Sequence, residues 1–129
     1  MVWAHSGVTN PAVMARMDSM KSIGDDMETL GNMMKGVTAF DAAVARAAAA
    51  SLAVHAAETP ALFEAEEDDP QSEAKAAIWQ DYADFTEKSD ALVELATGLS
   101  TSIDSVDDLP AAVRALGQAC QTCHKLYRE

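Results

Sequence analysis

The chain lacks several features that define common functional classes. Lys and Arg number only 9 against 21 Asp and Glu, which gives a formal net charge of −12. Because nucleic-acid phosphates need a basic surface, this balance argues against nucleic-acid binding. An acidic surface suits basic partners where association is electrostatically steered. No apolar run approaches the roughly 20 residues of a membrane-spanning helix, so we expect no membrane span.

Patterns typical of β-strands are also missing. Aromatic residues make up 5% of the chain, alanine is abundant, and no apolar run alternates with a period of two. A chain of 129 residues suits one hydrophobic core. We therefore predict a single all-α domain over residues 1–129, in which residues 1–9 form a flexible N-terminal segment.

Local signals divide the chain into four helices, two of them in its first half. The first is predicted to begin at Thr9-Asn10-Pro11, a polar cap followed by proline, and to end near Lys35-Gly36. The second is predicted to begin at Asp41 and to end before Thr59-Pro60. One stripe of the first helix has alternating spacings of four and three residues and includes two glycines: Val13, Met17, Met20, Gly24, Met27, Gly31 and Met34. Ile23 and Leu30 widen this stripe.

The second half of the chain supplies the other two helices. The acidic residues 64–70 read as a solvated loop by composition. Ser72 is predicted to cap the third helix, which ends near residues 98–102, and residues 105–110 open the fourth. Four amphipathic helices with short connections pack most simply as an antiparallel four-helix bundle.

The only two cysteines lie close to the C-terminus, in the run Cys120-Gln121-Thr122-Cys123-His124. This C-x-x-C-H pattern is the attachment signature of c-type haem. Each thiol can add across one porphyrin vinyl group to give a thioether, and the imidazole can bind the iron from one side. On a helix, Cys120, Cys123 and His124 project from one face. We therefore predict one covalent haem c, with His124 as the proximal iron ligand.

Other chemistries of paired cysteines fit this chain less well. A structural zinc site normally has four Cys or His ligands, and His5 and His55 lie far away in the sequence. A redox dithiol would open a helix within a βαβ pattern that is missing here. A haem-free dithiol or metal-binding bundle stays as the minor alternative. Because no nucleophile is paired with a base, we do not expect an enzyme.

The chain resembles a known family along almost its whole length. The resemblance is carried by Arg16-x-x-x-Met20-Lys21-x-x-Gly24-x-x-Met27, by residues 72–79, and by Cys120-x-x-Cys123-His124-x-x-Tyr127-Arg128. It is to the class II c-type cytochromes, which comprise cytochrome c prime and its low-spin, methionine-ligated relatives. The resemblance implies a four-helix bundle whose single haem carries electrons by Fe(III)/Fe(II) cycling.

Met20 decides between two functions that the resemblance allows. Its position in the family faces the haem on the side opposite the histidine, and a thioether there is a good sixth ligand for the iron. We expect Met20 to be the distal ligand. The alternative is that Met20 is one packing residue of a methionine stripe. The iron would then be five-coordinate, as in cytochrome c prime, and would bind NO or CO.

Seven further residues are predicted to line the haem pocket: Arg16, Met17, Ser72, Glu73, Trp79, Tyr127 and Arg128. In the family, an arginine of the first helix pairs with a haem propionate, and the resemblance implies this role for Arg16. The alternative is that Arg16 is an ordinary surface arginine. Ser72 and Glu73 are expected to begin a helix whose free amides favour a propionate. Trp79 is expected in the core or at the haem edge. Arg128 flanks His124 or complements the helix dipole.

Location and partners complete the expectations. The N-terminus lacks the basic start and apolar stretch of a signal peptide. Because covalent haem attachment in bacteria follows export, we expect a mature periplasmic protein whose leader was replaced by a start codon. Redox proteins are the expected partners, and NO or CO in the alternative. The resemblance and the Ala-rich second helix also allow a homodimer.

Overall fold

The computed structural model describes residues 7–129, so most of the N-terminal segment predicted to be flexible, residues 1–6 of 1–9, lies outside this range. Within it, Val8 is buried and the Thr9 amide donates to Asp69 at 2.9 Å. Four long helices form the predicted all-α, antiparallel four-helix bundle, and one short helix and a 3-10 turn at Val106–Asp108 join them. Residues 7–129 contain an isolated bridge, between Ala74 and Arg128, but no strand. The helices are α1 (Pro11–Lys35), α2 (Ala42–Leu62), α3 (Ala77–Gln80), α4 (Tyr82–Ser102) and α5 (Leu109–Tyr127).

The ends of α1 lie where the sequence predicts them. The Asn10 side chain accepts hydrogen bonds from the amides of Ala12 (2.9 Å) and Val13 (3.4 Å), and Pro11 is the first helical residue. Gly36 ends the helix with φ of 75°, a left-handed conformation that glycine adopts without the steric cost of a Cβ. Both signals are local in sequence, which is why they could be predicted.

The rotation of α1 differs from the predicted stripe. Its buried residues are Val13, Arg16, Ser19, Ile23, Leu30 and Met33. Val13, Ile23 and Leu30 belong to the predicted stripe or to its widened side, but Arg16, Ser19 and Met33 each lie one position before a stripe residue. The buried face is therefore turned toward the side that Ile23 and Leu30 mark. Met17, Met20 and Met27 are therefore half-buried at the edge of the core.

The predicted end of α2 is wrong. Asp41 caps its start as expected, but the helix continues through Thr59-Pro60 to Leu62. Pro60 has no N–H and so leaves the carbonyl of Ala56 without its helical donor. The Ser89 hydroxyl of α4 donates to that carbonyl at 2.9 Å. A tertiary contact therefore compensates for the proline.

The predicted start of the third helix is also wrong. Residues 72–76 are not helical, and Ser72 caps no helix; its hydroxyl accepts from the amide of Ala74 at 3.2 Å. Backbone bonds to the C-terminal segment hold these residues extended: Lys75 donates to Tyr127 (2.9 Å) and Glu129 donates to Glu73 (2.8 Å). The long helix α4 begins only after Asp81.

The fourth predicted helix begins where expected. Ser105 and Asp108 form a capping box, and Pro110 lies in the first turn of α5. No helix within residues 7–129 is long and apolar enough to cross a membrane.

Two apolar clusters fill the bundle. The larger joins α1, α2, α4 and α5 around Leu30, Leu52 and Leu116, which are fully buried. The smaller contains four buried residues, Phe63, Ile78, Phe85 and Tyr127. Its rings are in contact: the centroid of Phe85 lies 5.2 Å from that of Phe63 and 5.4 Å from that of Tyr127. Members of both clusters line one cavity.

Candidate haem site

A cavity of about 520 Å³ lies among α1, the end of α2, residues 72–74, α4 and α5. Its walls include Met27, Phe63, Ile78, Phe85 and Leu92, so they are largely apolar. Ten of the eleven predicted site residues line it, namely Arg16, Met17, Met20, Ser72, Glu73, Cys120, Cys123, His124, Tyr127 and Arg128. The helical spacing on α1 and α5 therefore brings most of the predicted residues to one place.

Cys120, Cys123 and His124 reach the cavity from the last turns of α5. Both thiols are free and half-buried, and burial raises the pKa of each. Burial, and then the charge of Arg128, lowers the pKa of His124. The imidazole is therefore neutral near pH 7 and keeps a lone pair for a metal. No other group in residues 7–129 forms a hydrogen bond with its ring.

Arg16 is buried, with 3% of its surface exposed, so it is not an ordinary surface arginine. Its guanidinium donates to three backbone carbonyls at and after the end of α2, those of Leu62 (2.7 Å), Ala65 and Glu67 (3.1 Å). Burial lowers the pKa of Arg16, partly opposed by the Glu67 carboxylate. Arg16 thus anchors the loop, and two of its five N–H donors are left for the predicted propionate contact.

Trp79 does not line the cavity. Its indole Nε1 donates to the carbonyl of Phe63 at 2.7 Å, and the Arg16 guanidinium lies 5.4 Å from its ring centroid. Trp79 therefore packs, half-buried, behind Arg16 and is the one predicted pocket residue that the cavity does not include.

The predicted anion site at Ser72 and Glu73 is not formed by helix amides, because no helix starts there. Instead the Glu73 carboxylate accepts from the Arg128 guanidinium at 3.0 Å, and both side chains are about half exposed. This pair closes one edge of the cavity beside His124.

The cavity fits a flat, apolar group held by thiols and an imidazole. The two thiols and His124 line the same space, and Gly24 leaves part of the α1 wall without a side chain. Gly24 is exposed, and an added Cβ there would meet nothing within 4 Å, so the α1 wall is open at this position. Two thiols that can add to vinyl groups and a neutral imidazole that can bind iron are the groups that attach haem c.

The family model described as Cytochrome C' matches residues 11–128. The chain belongs to the cytochrome c' family. Proteins of this family carry one covalent haem c, so haem c is the cofactor of this cytochrome, and the predicted family and cofactor are confirmed. The findings support a haem c-type cytochrome that transfers electrons or binds NO or CO.

Individual relatives cover most of the cytochrome. Cytochrome c-554 of Cereibacter sphaeroides is 35% identical over 119 residues, covering 85% of this chain and 75% of that protein. Cytochrome c-556 of Agrobacterium fabrum is 35% identical over 121 residues, covering 88% and 77%. Oxidised cytochrome c556 of R. palustris superposes with a TM-score of 0.84 at 28% identity, covering 94% and 98%. A nitrosyl complex of a cytochrome c prime variant from Alcaligenes xylosoxidans gives 0.80 at 28% identity, covering 92% and 94%.

Sequence reasoning missed a polar network that joins α4 to the haem-attachment helix of this cytochrome. The Tyr127 hydroxyl donates to the Asp84 carboxylate, and the Lys88 ammonium donates to both oxygens of that carboxylate at 2.7 Å. Lys88 lowers the pKa of Asp84, and the hydrogen bond to Asp84 raises the pKa of Tyr127. The i, i+4 spacing of Asp84 and Lys88 indicated an ion pair, but nothing local indicated Tyr127.

Proposed function

We propose that the protein is a periplasmic electron carrier in which His124 and Met20 are the two axial ligands of the haem iron. When bound, haem c supplies a one-electron Fe(III)/Fe(II) couple. The periplasmic location belongs to the same proposal, because covalent attachment in bacteria follows export. The axial role of Met20 distinguishes this proposal from gas binding.

One observation about packing supports Met20 as the distal ligand of the haem iron. Three methionines of α1 line the cavity: Met17, Met20 and Met27. Among the methionines of residues 7–129, Met20 alone packs against both apolar clusters, and the smaller cluster has Cys123 among its half-buried neighbours. Met20 and Cys123 thus pack against the same cluster and line the same cavity. A thioether ligand favours Fe(II) and raises the reduction potential.

The other residues of the site hold the group and keep water out. Cys120 and Cys123 fix it to α5, and the neutral imidazole of His124 can donate to iron without first losing a proton. Phe63 and Phe85 provide an apolar wall. Such a wall lowers the local dielectric, which is one of the means by which a protein tunes a haem potential.

A homodimer belongs to the same proposal. The exposed face of α2 is apolar and has the four-three spacing of a helix-packing seam: Ala43, Ala47, Ala50, Val54, Ala57 and Ala61. Small residues allow the close approach of a second copy. Sedimentation at a monomeric mass over the micromolar range would contradict this part.

Substitution of Met20 in the haem-loaded protein tests the axial role. We expect Met20→Ala to give high-spin ferric iron, to admit CO to the ferrous form, and to lower the reduction potential. The expected drop is on the order of 0.1 V, within the ~0.8 V that axial ligands span. Optical spectra and a redox titration measure these changes. Met20→Leu keeps the volume and should give the same result with less effect on folding.

Met17→Ala is the matched control, because Met17 lies on the same helix and lines the same cavity. It should leave spin state, CO binding and potential unchanged. If Met17→Ala and Met20→Ala have equal effects, or Met20→Ala has none, Met20 is a packing residue. The function is then the binding of NO or CO at a five-coordinate iron.

A further inference from the structure

Acidic residues are unevenly distributed among the helices. Of the 21 Asp and Glu in the chain, α5 contains none, whereas α1 and α4 contain four each. The Lys and Arg residues of α5 are Arg114 and Lys125. The helix that attaches the haem therefore carries a formal charge of +2 in a protein of −12.

These two cations have no ion-pair partner in the part of the chain that the structure describes. Arg114 and Lys125 are exposed, and neither forms an ion pair with any residue in the range 7–129. Four other cations do have carboxylate partners: Lys21, Arg46, Lys88 and Arg128. Acidic groups outnumber basic ones about two to one, yet within residues 7–129 none forms an ion pair with Arg114 or Lys125. Both charges are thus available to carboxylates of another molecule.

Between the two cations the surface is polar but uncharged. A shallow groove along α5 is lined by Arg114, Gly117, Gln118, Gln121, Thr122 and Lys125, which we call the α5 face. Neutral amide and hydroxyl groups cost less to desolvate than charges. Leu126 beside them is 46% exposed and adds apolar area. A centre without charge and a charged rim are features of protein interfaces.

The α5 face lies directly behind the haem attachment. Gln121 and Thr122 separate the two haem-binding cysteines in sequence and are exposed, whereas Cys120 and Cys123 are half-buried and line the cavity. A molecule on this face is separated from the cavity by one helix, roughly 10 Å across. We propose that the α5 face is the docking surface for a redox protein that presents carboxylates to Arg114 and Lys125.

This proposal rests on the proposed electron-transfer function and adds the surface at which electrons pass between the haem and the partner. The acidic surface elsewhere would repel an acidic patch, whereas the α5 face attracts it. At physiological salt, charges act over a Debye length of about 8 Å, so the local charge of α5 decides the orientation of the contact. The partner's surface around its carboxylates should itself be basic, to suit the rest of this molecule.

Oxidation of the ferrous haem-loaded protein by hexacyanoferrate(III) tests the surface. One electron passes from the ferrous haem to this trivalent anion, giving ferric protein and hexacyanoferrate(II). Arg114→Gln and Lys125→Gln should each lower the second-order rate constant roughly three- to tenfold at low ionic strength, from Coulomb's law for a charge about 10 Å away. The difference should fade as salt is added.

Lys35→Gln is the matched control for Lys125→Gln. Both lysines are exposed, lie in the last turn of a helix and lack an ion pair within the described chain, so both changes alter net charge equally. The control should leave the rate unchanged. Equal slowing by the two variants would mean that net charge alone matters, and no slowing by either would mean that electrons leave elsewhere; both overturn the proposal.

A cationic oxidant and an acidic polymer complete the test. Oxidation by tris(1,10-phenanthroline)cobalt(III) should be no slower in the two α5 variants. Poly-L-glutamate should shift amide NMR signals of α5 in the unmutated protein and leave those signals unmoved in the double variant; shifts confined to other helices overturn the proposal. If the protein is low-spin and excludes CO but shows neither the rate changes nor the NMR shifts, the docking surface is refuted and the proposed function is not. If the protein is high-spin and binds CO, the proposed function itself is refuted.

Discussion

Asp69 is buried although the residues on both sides of it in the acidic loop are exposed. Its Oδ2 accepts hydrogen bonds from the amides of Thr9 (2.9 Å) and Asn10 (3.0 Å), and its Oδ1 from that of Gln71 (2.9 Å). Thus one carboxylate ties the loop to the start of α1. The description of residues 64–70 as solvated is wrong at this position, because composition does not show which carboxylate turns inward.

These amide bonds, chiefly that of Gln71, lower the pKa of Asp69 from 3.8 to about 2. A lowered carboxyl pKa stabilises the folded state above the unfolded-state pKa, and the contribution is lost as pH falls through the folded-state value. Asp69→Asn should therefore lower the thermal midpoint most at neutral pH, with the gap closing between about pH 4 and pH 2. Thermal unfolding of both proteins across this range measures it.

Glu66→Gln is the control for Asp69→Asn, since Glu66 is an exposed carboxylate of the same loop. The difference in thermal midpoint between Glu66→Gln and the unmutated protein should not change with pH in this way. A midpoint difference for Asp69→Asn that stays constant down to the lowest pH would contradict the linkage.

At the scale of elements, Ser89 allows α2 to continue past its proline. Its hydroxyl, in a buried side chain, is the donor that replaces the missing N–H of Pro60 at the Ala56 carbonyl. Ser89→Ala should cost about 1–3 kcal/mol of unfolding free energy, because it leaves a buried carbonyl without a partner. In a Pro60→Ala background the cost should be smaller, since that substitution restores the backbone N–H that donates the helical bond.

Denaturant unfolding of the four proteins of this double-mutant cycle measures the coupling. Ser100→Ala, which removes an exposed hydroxyl bonded to Thr97 of its own helix, should have almost no effect. An equal cost of Ser89→Ala in both backgrounds would show that the hydroxyl does not compensate for the proline.

The positions of the helix ends show what the sequence could and could not predict. The start of α1 at Asn10, its end at Gly36 and the start of α5 follow from caps within a few residues, and the prediction places them correctly. The end of α2 and the start of α4 depend on contacts made far away in sequence. Ser89 reaches back to α2, and residues 127–129 hold residues 73–75 extended.

The candidate site divides in the same way. The spacing of Cys120, Cys123 and His124 on one helix was enough to place all three at the cavity. The carbonyls that Arg16 binds and the hydrogen bond from Tyr127 to Asp84 result from packing between elements, and no local pattern encodes them.

At the scale of the whole molecule, residues of both apolar clusters line the cavity of about 520 Å³. Covalently attached haem stays on the unfolded chain, but its apolar surface is buried against these walls only in the folded state, so the haem-free protein should be less stable and less ordered near α5. We expect its thermal midpoint to be lower by on the order of 10 °C, equivalent to a few kcal/mol. Calorimetry of protein made with and without a cytochrome c maturation system, with amide hydrogen exchange of α5, measures this.

Covalent attachment needs to be established in the same samples. Intact mass should exceed that of the bare polypeptide by one haem, and haem staining should persist after denaturing electrophoresis. Haem that extracts freely into acidic ketone, or equal midpoints for the two forms, would contradict this description of the cavity.

The optical spectrum of the unmutated, haem-loaded protein tests the assignment of His124 and Met20 most directly. We predict low-spin ferric iron with a weak sulfur-to-iron charge-transfer band in the far red, and a reduced form that does not take up CO at once. A high-spin ferric spectrum with immediate CO binding would contradict electron transfer at a six-coordinate haem, and would establish gas binding in its place.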